Sequence, residues 1–197
     1  MIAEIYKRRS IRKYQDKPIP KQDILDIVQS AMKAPSPKNR QPWRFIVVKE
    51  KEKDEMLHAF RQGIFREETG NALLPQSKEY IEGAKYTVKV LEQAPVIVFV
   101  VNALGKDLTE ERTPEEYVYD ICNIQSIGAA IQNMLLTATE KGIGSLWVCD
   151  TYFAYPELCR WLNVKGEFLA AVAFGYPDEK PDERPRKRPE DVLEWRN

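Results

Sequence analysis

Arg8-Arg9-Ser10-Ile11-Arg12, followed by Ala34-Pro35-Ser36-Pro37-Lys38-Asn39-Arg40-Gln41-Pro42-Trp43, is the part of this 197-residue chain from which its organisation can be read. Guanidinium forks match phosphate oxygens bidentately, and a serine hydroxyl or a backbone N–H completes such a cradle. Three cations and a hydroxyl fall within five residues here. If the segment is extended after a short helix, the two-residue period puts Arg8, Ser10 and Arg12 on one side. A solvated basic cluster near a terminus is the competing reading, since charge runs usually face water. In the second segment, Pro35 and Pro37 around Ser36 end a helix and keep the backbone extended. Asn39 and Gln41 then offer amide donors and acceptors ahead of a rigid Gln41-Pro42-Trp43. An ordinary polar loop between a helix and a strand explains these residues as well. Taken together, the segments describe an anion pocket beside a site for a planar polar ligand.

Outward from these segments the pattern is mixed. Residues 21–34 carry Ile24, Ile27, Val28, Ala31 and Met32 at helical spacing, and Pro35 stops the run. Residues 45–48 read as a short buried strand and residues 51 to about 62 as an exposed helix. Residues 63–93 are polar and aromatic, with Gly70, Pro75 and Gly83 expected to break them. Residues 55–92 are therefore a possible lid, or simply surface helices. Residues 95–101 form a continuous apolar run, expected to be a central strand. Residues 117–141 are the longest helical pattern, with Ile121, Ile124, Ile127, Ile131, Leu135 and Ala138 in one stripe and Gly142 as C-terminal cap. Two more strands, at 145–149 and 168–174, flank a short helix at 156–162. The order suggests a central sheet with helices on both faces.

Composition narrows the function. Thirty basic and thirty acidic residues leave no net charge, so no global field draws in nucleic acid or an anionic membrane. The longest apolar run is too short to span a bilayer, and basic residues interrupt the first twenty positions where a signal peptide needs an apolar core. Cys122, Cys149 and Cys159 lack metal-type spacing and read as reduced thiols, which points to a cytoplasmic protein. One histidine, His58, makes a His-rich metal site or a Ser-His-Asp triad implausible, and no metal is expected. With no linker or internal repeat, residues 1–197 are expected to form a single domain.

Arg8-Arg9-Ser10-x-Arg12 with Pro35-Ser36-x-x-Asn39-x-Gln41-Pro42-Trp43 resembles the N-terminal signature of the nitroreductase-like FMN oxidoreductases. Residues 127–136 and Lys141-Gly142-Ile143-Gly144-Ser145-Leu146-Trp147 resemble that family's central helix and its following glycine turn. Gly175-Tyr176-Pro177 and Arg184-Pro185-Arg186-Lys187-Arg188-Pro189 resemble its last strand exit and a second phosphate-side basic cluster. The resemblance implies an α+β fold, a central mostly antiparallel sheet flanked by helices. It also implies a homodimer with an exchanged C-terminal arm, residues 177–197, and one FMN at each end of the interface.

Residue by residue, the resemblance assigns Arg8, Arg9 and Ser10 to the phosphate, with Arg186 and Arg188 supplied from the other end of a chain. Arg12 serves the phosphate or the N1 side of the ring. Asn39 and Gln41, on the loop of Pro35 and Ser36, are amide partners of the ring or ribityl chain. The backbone of Gly144, Trp147, Val148 and Cys149 faces the ring. The chain departs from the pattern at Cys149-Asp150-Thr151-Tyr152, where family members often continue with glycines. No catalytic side chain is implied, because flavin N5 carries the hydride. NADH or NADPH is the implied donor and a nitroaromatic, quinone or similar small molecule the acceptor, in a ping-pong cycle. No Gly-x-Gly-x-x-Gly offers a separate dinucleotide site. Dehalogenation or desaturation on the same scaffold, or a non-enzymatic FMN-binding sensor, are the alternatives. Phe65, Tyr80 and Tyr86, within residues 61–92, are candidate acceptor-pocket aromatics, with anchoring of surface helices as the competing role.

Overall fold

The computed structural model describes residues 2–196. Its sheet has four strands, β1 (Trp43–Val48), β2 (Val96–Asn102), β3 (Gly144–Val148) and β4 (Glu167–Gly175), in the order β1-β2-β4-β3 with every neighbouring pair antiparallel. The two central strands, β2 and β4, are buried along their whole length, as their unbroken apolar sequences require. Around them lie α1 (Ala3–Lys7), α2 (Lys21–Ala31), α3 (Lys51–Glu68), α4 (Ile81–Gln93), α5 (Pro114–Glu140) and α6 (Tyr155–Leu162).

Strand alternation divides the interior into two cores. Val96, Val98, Val100, Ala170, Val172 and Phe174 pack with α2 and α5 on one face. Ile97, Phe99, Ala171, Ala173, Leu146 and Val148 pack with α3, α4 and α6 on the other. The N-terminal segment closes the β3 edge: Ser10 bridges Ser145, and the Ile11 N–H donates to the Ser145 carbonyl at 2.9 Å.

Helix α5 begins three residues before the expected start. Pro114 occupies its first turn, and Thr113 and Glu116 form a reciprocal capping box. It ends at the expected glycine. Gly142 has φ +69°, and the Ile143 N–H reaches back to the Ala138 carbonyl at 2.8 Å. The stripe runs inward only in part. Ile127, Ile131, Leu135 and Ala138 are buried, whereas Ile121 and Ile124 are exposed, because helical rotation turns Asp120 and Asn123 inward there.

Two further expectations need correction. Helix α3 continues through Gly63 and buries Met56, Leu57, Phe60 and Ile64, so it is a core helix rather than an exposed one. Gly63 is present for packing, since a Cβ there would stand 2.3 Å from the Ala154 Cα. Gly83 likewise lies inside α4, which buries Ile81, Ala84, Val88 and Leu91. Residues 55–92 therefore supply Met56, Leu57, Phe60, Ile64, Ile81, Ala84, Val88 and Leu91 to one of the two cores.

Candidate functional site

Helix α1 ends at Lys7, its C-cap Arg8 has extended backbone, and the bridge to β3 carries the next residues along the sheet edge. Gly144 permits this approach. A Cβ there would lie 2.9 Å from Ile11 Cγ1, so the glycine makes room for Ile11. Arg8, Arg9, Ser10 and Arg12 then line a cleft of about 430 Å³ whose other wall is residues 181–186, including Arg184 and Arg186.

Its electrostatics favour an anion. Burial, then the nearby charges of Arg186 and Arg9, hold the Arg8 guanidinium below its ordinary pKa. Arg8 has no ion pair among the described residues, whereas Arg9 donates to the Tyr6 carbonyl at 2.6 Å and reaches Glu183 at 3.4 Å. Arg12 donates a guanidinium hydrogen bond to the Ser10 carbonyl at 3.3 Å, and its backbone N–H donates to Glu179 at 2.5 Å. The cleft therefore keeps an incompletely neutralised positive charge suited to a phosphate or similar dianion. Arg188 is not among its lining residues. It pairs instead with Asp191 at 3.3 Å in its own turn.

The second segment is a tight loop. Lys38, Asn39 and Gln41 have φ of +52°, +53° and +48°, each costing about 1–2 kcal/mol for a residue with a Cβ. Ser36 holds the turn: its Oγ accepts the Gln41 N–H at 3.0 Å and its carbonyl the Asn39 N–H at 3.0 Å. The side chains of Asn39 and Gln41 are exposed and without hydrogen-bond partners among the described residues. Between this loop and α5 lies a second cleft of about 410 Å³, lined by Pro35, Ser36, Pro37, Cys122, Gln125, Ser126 and Ala129. The α5 residues escaped the sequence reading, although Cys122, Ser126 and Ala129 share a helical face. The two clefts have no lining residue in common within one chain.

On β3, Trp147 is exposed on the α5 side, its ring edge 3.9 Å from where a Cβ on Gly128 would stand, while Val148 points into the opposite core. Cys149 follows as an exposed residue, with a thiol pushed above its ordinary pKa by burial of the sulfur and by Asp150. After Cys149 the departing segment turns inward. Asp150 accepts a hydrogen bond from Thr87 on α4 at 2.5 Å, and Thr151 is fully buried. Phe65, Tyr80 and Tyr86 are exposed on the α3–α4 side of the sheet, and none lines either cleft. Residues 177–183 contact the N-terminal segment: the Asp178 N–H donates to the Lys13 carbonyl, and Gln15 donates to the Pro177 carbonyl. Beyond them Val192, Leu193 and Trp195 are exposed.

Comparison with known proteins gives a consistent result. Residues 5–176 match the model of the Nitroreductase family. An Archaeoglobus fulgidus protein with the provisional name NADH dehydrogenase/NAD(P)H nitroreductase is 34% identical over 186 residues, 89% of this chain and 85% of that one. An iodotyrosine deiodinase from Thermotoga neapolitana is 27% identical over 180 residues, 88% of this chain and 86% of its own. A protein of Desulfovibrio desulfuricans, provisionally named a nitroreductase and crystallised in complex with FMN, superposes with a TM-score of 0.72 at 25% identity, covering 99% of this chain and 96% of that one.

Proposed function

This chain belongs to the nitroreductase family, and we propose that it is an FMN-dependent oxidoreductase that passes electrons from NADH or NADPH to a nitroaromatic, quinone or similar acceptor. The observation that carries the reading is the Arg8 guanidinium, without an ion pair among the described residues and crowded by Arg9 and Arg186 in a cleft with Ser10 and Arg12. The group fits: a terminal phosphate dianion meets the uncompensated charge, and the exposed amides of Asn39 and Gln41 are free to bond a polar ring or ribityl hydroxyls.

When bound, FMN supplies a ring able to take up and return a hydride. Arg8, Arg9 and Arg186 would hold its phosphate, and Arg12 would add positive charge beside it. Loop 35–41 would orient the ring, its backbone fixed in advance by Ser36. The cleft between this loop and α5 would exclude water from the exposed ring face and admit donor and acceptor in turn. We infer a homodimer in which one protomer's arginine cleft and its partner's loop complete a site, since no lining residue joins them within one chain. The exchanged arm would be residues 177–197; its last hydrogen bond to its own N-terminal segment among the described residues is that of Glu183 with Arg9, and Arg184 and Arg186 also line the arginine cleft. Residues 1–197 then act as one domain. Reductive dehalogenation is the second reading, favoured by the similarity to the iodotyrosine deiodinase.

The test is anaerobic titration of the FMN-loaded protein with NADH and NADPH, followed by reoxidation with 4-nitrobenzoate, a quinone or an iodophenol. Bleaching by a nicotinamide and rapid recovery with the first two is expected. Recovery with the iodophenol alone favours the second reading, and no bleaching refutes both. Replacing Arg8 and Ser10 together by alanine removes two charge-assisted bonds to the phosphate, each worth ~1.5–3 kcal/mol. FMN affinity is then expected to fall by at least a hundredfold, about 3 kcal/mol, with the fold intact, and an unchanged Kd would remove the cluster from the site.

A further inference from the structure

Arg40 has a position that phosphate binding does not use. Among residues 38–41 it alone has right-handed backbone, φ −66° and ψ −26°, and this aims its side chain at α5, where the guanidinium carbon lies 4.8 Å from the centre of the Tyr119 ring. A guanidinium stacked on a ring keeps its N–H edge free for a planar anion. Arg40 is half-buried and has no ion pair among the described residues. Of the acids of α5 near Tyr119, Glu116 pairs with Lys106 at 2.7 Å and Asp120 with Arg112 at 2.5 Å, while Glu115, four residues before Tyr119, has no ion pair among the described residues.

Tyr119 precedes Cys122 by three residues and Ser126 by seven, the spacing of one helical face. Both of those residues line the cleft whose opposite wall is Pro35, Ser36 and Pro37 of Arg40's own loop. Arg40 and Tyr119 do not line the cleft themselves; they flank it in sequence, Arg40 three residues after Pro37 and Tyr119 about one helical turn before Cys122. At about 410 Å³ the cleft has the size of small-molecule pockets.

We propose that Arg40 determines the acceptor class: the preferred acceptor is an aromatic compound bearing a carboxylate, its ring in the cleft between loop 35–41 and α5 and its carboxylate on the Arg40 guanidinium. Tyr119 is a positioning residue that holds the guanidinium. The inference rests on the oxidoreductase reading, and its test includes a measurement that needs no turnover.

Benzoate and benzyl alcohol, neither of them a nitro acceptor, are titrated into the oxidised FMN-loaded protein and followed by the shift of the flavin absorption bands. The kcat/KM values for 4-nitrobenzoate and 4-nitrobenzyl alcohol are then compared. The wild-type protein is expected to prefer the carboxylate in both assays. Arg40→Gln lowers both preferences about tenfold, the size of one charge-assisted hydrogen bond, mainly through Kd and KM. Tyr119→Phe keeps the preference because it keeps the ring, and Tyr119→Leu loses it. A wild-type protein that binds both ligands equally, or an Arg40→Gln variant with unaltered preferences, overturns the proposal. Absence of turnover with a retained benzoate preference refutes the oxidoreductase reading while leaving Arg40 as the anion-selecting residue.

Discussion

Replacing Gly144 with alanine tests whether the arginine cleft is built on the packing of one isoleucine. The new Cβ would stand 2.9 Å from Ile11 Cγ1 and 3.0 Å from its Cβ and Cγ2, so Ile11 has to yield by about half an ångström. It has little freedom to do so. It is 7% exposed, its N–H bonds the Ser145 carbonyl at 2.9 Å, and its carbonyl accepts the Tyr14 hydroxyl at 2.8 Å. Overpacking of this kind costs about 1–3 kcal/mol. The unfolded chain loses freedom with alanine, which returns about 0.4–1 kcal/mol. The net expectation is a destabilisation of about 1–2 kcal/mol, read as a lower urea midpoint at unchanged slope. Because Ser10 and Arg12 flank Ile11, FMN affinity should fall as well. Ile11→Ala removes Cγ1 and Cγ2 and leaves only the 3.0 Å Cβ contact. It costs about 2–5 kcal/mol by itself, but Gly144→Ala added to it should cost about 1 kcal/mol less than in the native background. Equal costs of Gly144→Ala in the two backgrounds, or a native-like urea midpoint and FMN affinity in the single variant, would refute the reasoning.

Gly63→Ala should be more damaging, about 3 kcal/mol, because its Cβ would meet the backbone of Ala154 at 2.3 Å and force α3 away from the turn after β3; a urea midpoint within error of wild type would contradict this. Hydrogen bonds from Lys141, then from Gln22, hold the Asp26 carboxyl below its ordinary pKa. A carboxyl that titrates lower in the fold than in the unfolded chain stabilises above its unfolded pKa, and that contribution disappears as pH falls through the folded value. Asp26→Asn should therefore lower the urea midpoint near pH 7, with the deficit shrinking as the carboxyl is protonated at acid pH; a deficit independent of pH would show that the bonds from Lys141 contribute nothing. Deleting residues 184–197 removes Arg186 together with the exposed Val192, Leu193 and Trp195. The product should sediment as a smaller species and bind FMN more weakly, and a truncated chain with native sedimentation and affinity would exclude the exchanged arm.

Much of this organisation was legible in the chain itself. The unbroken apolar runs of β2 and β4 required strands buried on both faces, and the helical stripe ending at Gly142 required α5, because backbone periodicity and turn chemistry act over a few residues. The crowding of Arg8, Arg9, Ser10 and Arg12 was equally local and pointed to an anion. What the local pattern could not decide was which residues from distant parts of the chain meet. Gly63 and Gly83 looked like breaks, yet one admits Ala154 and the other simply continues a helix already anchored in the core. Ile121 and Ile124 fit the stripe but face outward, since Asp120 and Asn123 are the buried residues at that end of α5. Arg188 looked equivalent to Arg186, and only the folded tail separates the one paired with Asp191 from the one facing Arg8. The stacking of Arg40 on Tyr119 belongs to the same class. A guanidinium's role depends on the partner set beside it, and that partner is chosen by long-range packing, to which short-range propensity is blind.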